Sequence, residues 1–229
     1  MEIPIVENVL KLNDEIAALN RRQFNEAGLL VLDLIGAPGC GKTALLEATL
    51  RHLRGRLRLG VIVGDLATAR DAARLARWSE HVVQVNTGRG CHLDANQVRQ
   101  AAARLELSAL DVLVIENVGN LICPVGFDLG QHLKIGMFSA ADGDDKAAKH
   151  PYLVTESALL LLNKTDLLPH VNFDRDLFFA DIHRLNPDAT MLELSARRDH
   201  VQPWLTWLER QAETAATTPE PRPAAQQGG

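Results

Sequence analysis

The sequence predicts an α/β fold, a mostly parallel seven-stranded sheet with helices on both faces. Three observations lead there. Short apolar runs recur along the chain without the strict alternation of a half-exposed strand, as expected where both sheet faces are covered. Helical patterns separate these runs, which is the order that parallel βαβ units require. The first run also leads through a glycine-rich turn straight into a helix, an arrangement that aims backbone amides at an anion.

An amphipathic helix is predicted over 7–27, with Val9, Leu12, Ile16, Leu19 and Phe24 as its apolar face. Strands are expected at 29–35, 59–64, 81–85, 111–116, 135–140, 157–163 and 189–196. Helices fall between them at 42–53, 69–78 and 93–106. This organises the chain as an N-terminal helix (1–28), one α/β domain (29–210) and a tail (211–229). The tail is rich in Ala, Pro, Gln and Gly without an apolar period, so it is expected to be disordered.

The 229 residues, 46% hydrophobic and 23% charged, suit a soluble globular chain with a sizeable core. A net charge of −5 argues against general nucleic-acid or membrane-surface binding. The basic run at 51–58 carries no stacking aromatics and reads as cations at a helix C-terminus that stops at Gly55. No apolar run approaches the roughly 20 residues that span a bilayer. The acidic start "MEIPIVENVL" lacks the features of a signal peptide, and the expected location is cytoplasmic.

"GAPGCGKT" sets Gly36, Gly41, Lys42 and Thr43 in the pattern GxxxxGKT between a predicted strand and a predicted helix, as a phosphate loop requires. Pro38, Gly39, Cys40 and Ala44 complete the loop and its first helical turn. Lys42 would reach the outer phosphates, and Thr43 would place its hydroxyl on Mg²⁺. "NKTD" supplies Asn163, Lys164 and Asp166 at the end of a later strand. An aspartate there can accept from the N1–H and 2-amino groups of guanine, donors that adenine lacks, so GTP and GDP are the expected nucleotides. Lys164 would lay its methylenes across the base, and Asn163 would tie this loop to the phosphate loop. Ser195 and Ala196, in "SAR", fit a further base-contacting loop. Asp65 ends the second strand, where it would hold Mg²⁺, orient the attacking water or serve as a helix cap. Glu116 ends the fourth strand, where an acid can meet the metal shell. Gly119 would offer its amide to the γ-phosphate. Lys42, Asp65 and Glu116 are thus the catalytic candidates, with Thr43, Asp65 and Glu116 around Mg²⁺.

Three cysteines at wide spacing make no disulfide framework. Cys91 and His92 lie in a glycine-rich loop, and Cys123 follows shortly after Gly119. Thiolate and imidazole suit Zn²⁺ or Ni²⁺. The two loops are expected to leave neighbouring strand ends. A free cysteine is otherwise a small buried hydrophobe.

"GAPGCGKTALLE", "VNTGRGCHLDA", "IENVGNLICPVGFDLG", "GDDKAAKHP", "NKTDLLP" and "LELSARRDHVQPWLTWL" together resemble the hydrogenase nickel-incorporation GTPases, the HypB family, from about residue 7 to 210. The resemblance implies a slow, Mg²⁺-dependent GTPase of the SIMIBI class of P-loop NTPases. It implies a homodimer working with maturation partner proteins and the hydrogenase large subunit, with Cys91, His92 and Cys123 binding Ni²⁺ or Zn²⁺. The proximity of Cys123 to Gly119 suggests that nucleotide state is read at the metal site. Departures are informative. No N-terminal cysteine cluster or histidine-rich stretch supports storage. Asn96 replaces a further histidine of some members, weakening the case for a second, bridged metal. Cys40 takes a loop position where a small inert residue is expected, and is either such a filler or a reactive thiol. Lys146 is a candidate nucleotide or dimer contact, while Trp204 and Trp207 read as core. Rival readings are a urease-type nickel GTPase, whose metal motif is Cys-Pro-His, a small-molecule P-loop kinase, and a non-enzymatic metal carrier.

Overall fold

The computed structural model describes residues 6–65, 70–88 and 90–217. Helix α1 (Val6–Glu26) precedes β1 (Leu30–Gly36), α2 (Lys42–Leu53), β2 (Leu59–Asp65), α3 (Arg70–Leu75), β3 (Val82–Asn86), α4 (Ala95–Ala102) and β4 (Val112–Glu116). Then come β5 (Leu133–Ser139), α5 (Lys146–Lys149), α6 (Pro151–Glu156), β6 (Leu159–Asn163), α7 (Arg175–Leu185), β7 (Thr190–Glu193) and α8 (Gln202–Thr217). The strands form one sheet in the order β3-β2-β4-β1-β5-β6-β7. Every pairing is parallel.

That topology has a consequence for function. The phosphate loop, the Cys91–His92 loop, the "ENVGN" segment and "NKTD" each follow the end of a strand, and in a parallel sheet all those ends share one edge. Ligands in such sheets bind outside the carboxyl edge. Inward-facing residues on one sheet face pack on α2 and α8, with Trp204 fully buried and its indole donating to Thr49 Oγ1. Residues of the opposite face pack with Phe24 of α1 and Val98 of α4. A third apolar group joins β5 and β6 to α6 and α7. The expected core role of Trp204 holds, and Trp207 stacks on it at 5.5 Å. Gly55 takes φ +78 after α2, and the neighbouring arginines pair with acids: Arg51 with Asp199, Arg56 with Glu209, Arg58 with Asp111.

Four expectations need correction. The buried stripe of α1 is Asn13, Ala17, Asn20 and Phe24, while Leu12 and Leu19 are exposed and Ile16 is half-buried; the side chain of Val9 lies outside the described residues. The reason is the helix's neighbour: α1 covers loop backbone as well as α4, and backbone groups require amide partners. The predicted tail begins too early, since α8 continues to Thr217 and buries Ala212 against the core; residues 218–229 lie outside the described part. Helix α4 stops at Ala102 rather than running to 106, and α3 stops at Leu75. Finally, β3 and β4 are not neighbours, because β2 stands between them.

Candidate functional site

The loop between β1 and α2 closes on itself. Lys42 is buried, and its ammonium donates to the carbonyls of Gly36 (2.9 Å) and Ala37 (3.3 Å). Gly41 sits at φ +109, and a Cβ there would lie 2.3 Å from the Asn163 amide nitrogen. Glycine is therefore required for both conformation and space. At Gly36 a Cβ would meet the Cys40 sulfur and the Met137 carbonyl, each at 2.7 Å. Cys40 fills the inside of the loop, fully buried, and burial pushes its thiol upward. That environment matches the inert filler and not the reactive thiol.

Pro38, Gly39, Lys42 and Thr43 face a cavity of about 420 Å³ shared with Asp65, Glu116 and Gly119. The Thr43 hydroxyl donates to Glu116 Oε1 at 2.7 Å. Burial pushes the Glu116 carboxyl up to about 7, with the Thr43 hydrogen bond and the Lys42 charge opposing. Its Oε2 is buried without a partner among the described residues. A hydroxyl and an unpartnered carboxylate oxygen at the foot of a phosphate loop fit a hard divalent cation.

A second cavity, about 860 Å³, adjoins the first at Gly41 and Ala44 and is lined by Asn163, Lys164, Asp166 and Ala196. Asn163 is the joint between loops: its amide donates to the Cys40 carbonyl (2.7 Å), and its oxygen accepts from the Ala196 amide (3.0 Å). Lys164 takes the left-handed conformation (φ 59), which turns the chain sharply at the end of β6. The Ser195 hydroxyl donates to Asp166 and holds its carboxyl below the usual carboxylate range. Asp166 is thus an ionised acceptor at the rim of the larger cavity, while Ser195 acts through it.

The third part is a thiolate corner. Ligand atoms of Cys91, His92 and Cys123 all lie within 4.8 Å of one another. Cys91 Sγ is 3.5 Å from His92 Nδ1, and its hydrogen bond with Cys123 raises the Cys91 thiol. The His92 ring lies 3.9 Å from that of Phe127, and burial lowers its pKa, favouring the neutral imidazole that metals bind. Three such ligands leave a coordination position for a water, a cargo-accepting group or a partner's ligand. The loops meet here although β2 separates their strands.

Two asparagines of "ENVGN" link the corner to the cradle, and residue patterns alone did not single them out. Asn117 Oδ1 accepts from the amides of Leu93 (3.1 Å) and Val118 (3.0 Å), while its Nδ2 donates to buried Asp33 (3.0 Å). The Asn120 amide donates to Gly36 O (3.1 Å), the carbonyl that Lys42 also holds. Its side chain donates to Cys91 O (3.3 Å) and accepts from the amides of Ile122 and Cys123. Both residues lay inside a quoted motif, but their bonds cross between loops far apart in sequence.

Comparison with known proteins shows the family. Residues 30–193 match the family model described as "CobW/HypB/UreG, nucleotide-binding domain". A hydrogenase maturation factor HypB of Azotobacter vinelandii is 46% identical over 211 residues, covering 92% of this chain and 70% of that protein. The chain belongs to the HypB family of hydrogenase maturation factors. Among solved HypB structures, that from Archaeoglobus fulgidus superposes with a TM-score of 0.83 at 34% identity, covering 89% of this chain and all of that one. The HypB structure from Helicobacter pylori in complex with nickel gives 0.85 at 31% identity, covering 92% and 99%. The matched region runs from β1 to the end of β7, so the HypB likeness includes the phosphate loop, the thiolate corner and the "NKTD" turn. The expected SIMIBI-type P-loop architecture is the one observed.

Proposed function

We propose that this HypB-family protein is a GTP-hydrolysing metallochaperone that hands nickel on during [NiFe]-hydrogenase maturation, with its metal corner read by the nucleotide. The observation that carries the reading is Asn120, which holds the Gly36 carbonyl of the phosphate loop with its backbone and both cysteine segments with its side chain. Ionised Asp166 recognises guanine, Lys164 covers the base, and Asn163 keeps the base and phosphate loops in register. Lys42 leaves its carbonyls for the outer phosphates. Thr43, Glu116 and Asp65 hold Mg²⁺, which supplies charge neutralisation at the phosphates when bound. Gly119 packs so tightly that a Cβ would stand 2.9 Å from Pro38 Cα, so a ligand displacing one displaces the other.

Nickel is the cargo, held by Cys91, His92 and Cys123; Zn²⁺ suits the same ligands. The protein works as a cytoplasmic homodimer in which two corners face one another, and it meets maturation partners and the hydrogenase large subunit there. The rival kinase reading has no support in the "NKTD" geometry, and the Cys-His pair differs from the Cys-Pro-His of the urease-type chaperones. An anaerobic Ni²⁺ titration tests the reading, with GDP or a non-hydrolysable GTP analogue, on wild type and Cys123→Ser. Nickel affinity is expected to change with the nucleotide, and Cys123→Ser to abolish that change. Identical nickel binding in both nucleotide states would refute the coupling.

A further inference from the structure

Helix α1 presents a puzzle: why does a helix against an apolar core bury two asparagines? Asn13 is 7% exposed and Asn20 only 1%. Their partners answer. Asn13 Oδ1 accepts from the Ala95 amide at 2.9 Å, and its Nδ2 donates to Asp128 O at 2.9 Å. Asn20 Nδ2 donates both to Ala95 O (2.8 Å) and to Leu129 O (3.0 Å). Ala95 stands three residues beyond His92, and Asp128 and Leu129 five and six beyond Cys123. One helix thus grips both halves of the thiolate corner from behind, at backbone groups that follow each half.

The grip is close and specific. Ala95 is the first residue of α4, whose cap Asp94 satisfies the Gln97 amide and leaves the Ala95 amide to Asn13. At Gly130, with φ +89, a Cβ would stand 2.6 Å from Asn20 Cβ and 2.8 Å from Ala17 O, so the loop lies directly on the helix. Outside, Arg21 binds both oxygens of Asp128 (2.8 and 3.0 Å) and the Gln131 carbonyl (3.2 Å). Asn20 keeps its amide on two carbonyls even though its own Oδ1 is buried without a partner among the described residues. A helix selected for burial alone would carry leucine at these positions; the leucines instead face outward.

We infer that α1 is a strap for the metal corner and that Asn13 and Asn20 are positioning residues that set the distance between the Cys91–His92 loop and the Cys123 segment. In a metal centre this is the task of the groups behind the ligands, which orient them without touching the ion. The inference rests on the metal-carrying role proposed above for Cys91, His92 and Cys123, but the juxtaposition it explains exists without metal.

The test compares wild type with Asn20→Leu, Asn13→Leu and the milder Arg21→Ala, on the full chain. Three readouts are needed: Ni²⁺ and Zn²⁺ affinity by competition with a chromophoric chelator, GDP affinity with a fluorescent analogue, and the rate of Cys91–Cys123 disulfide formation in metal-free protein. Diamide is the oxidant: two thiols give up two protons and two electrons, the disulfide forms, and the diazene becomes a hydrazine. The asparagine variants are expected to weaken metal binding by about tenfold, the size of effect typical for groups behind a ligand shell. Disulfide formation should slow in parallel, with GDP affinity unchanged and Arg21→Ala smaller in both effects. Unchanged metal affinity and disulfide rate overturn the inference, and so does a matching loss of GDP affinity, which would mark general damage. Should wild type and Cys123→Ser bind nickel alike while the strap variants still slow disulfide formation, the metal-carrying reading fails and the strap stands.

Discussion

The nucleotide cradle and the thiolate corner lie on the same sheet edge yet are built on opposite principles. The groups that join the cradle's loops are buried and hold one another: Lys42 on loop carbonyls, Thr43 on Glu116, Asn163 between two loops. The corner is open, with Cys91 exposed and its ligands on loops after non-neighbouring strands. A site that must discriminate one base benefits from preformed, desolvated partners, because every mismatch then leaves a group unpaired. A site that must take up and surrender an ion benefits from access and from ligands that move with a switch. The asparagines of "ENVGN" stand at the border between the two.

Breaking the cradle should give the largest effects. Asp166→Asn replaces one acceptor oxygen with an amino group that meets the guanine 2-amino group donor to donor but can donate to the 2-oxo oxygen of xanthine. Discrimination for guanine over xanthine is expected to fall or reverse, by up to about 10⁴-fold, read as relative affinities for GDP and xanthosine diphosphate. If GDP affinity held, base recognition would have to reside elsewhere. Asn163→Ala comes next. It strands the Cys40 carbonyl and the Ala196 amide, and should cost on the order of 2–4 kcal/mol in urea unfolding. A cost below about 1 kcal/mol would show that the two loops keep register without it.

The third prediction concerns protons. Burial pushes both Glu116 and Asp33 up to about 7, from ordinary values of 4.5 and 3.8. In that interval the folded protein holds protons that the unfolded chain has released. Stability without ligand should therefore fall as pH rises from about 4 to about 7. Urea denaturation at about pH 4.5 and about pH 7.5 measures it. Adding MgGDP should flatten the profile if Glu116 meets the cation, and Glu116→Gln should remove part of the slope. A flat profile in the unliganded protein would mean that both carboxylates ionise normally.

The smallest effect sharpens the contrast. Iodoacetamide should label exposed Cys91 and half-buried Cys123 in native protein, slowly for Cys91 because its hydrogen bond with Cys123 raises its thiol, and leave buried Cys40 untouched with or without nucleotide. Cys40→Ala should cost roughly 1 kcal/mol, the scale of a small buried truncation. Labelling of Cys40 that GDP slows would restore the reactive-thiol reading.

Much of the cradle was legible because its residues are contiguous. GxxxxGKT and NKTD each lie on one strand-to-helix turn, where local geometry and the parallel sheet dictate what the side chains can reach. The corner was half legible: its ligand types stood out, but their loops were assigned to neighbouring strands when β2 intervenes. Least legible was α1, whose leucine spacing fits a buried helix face while the structure buries Asn13 and Asn20 instead. Periodicity registers how apolar a face is, and has no access to the loop backbone that a helix must satisfy. The same blindness started the tail too early, since the last turns of α8 are held by Ala212 against a distant core rather than by an apolar period of their own.

By itself, then, the sequence determined the strand–helix alternation, the phosphate loop and the turn that bears Asn163, Lys164 and Asp166, and singled out Cys91, His92 and Cys123 as candidate ligands, because each of these signals lies within a few residues. Only the tertiary structure decided the strand order, the meeting of the two metal loops over the end of β2, the paths through Asn117 and Asn120, and the strap of α1. The links between loops through Asn117 and α1 rest on hydrogen bonds across 24 to 115 residues. They are closed by packing once the chain has folded, and no local pattern records them.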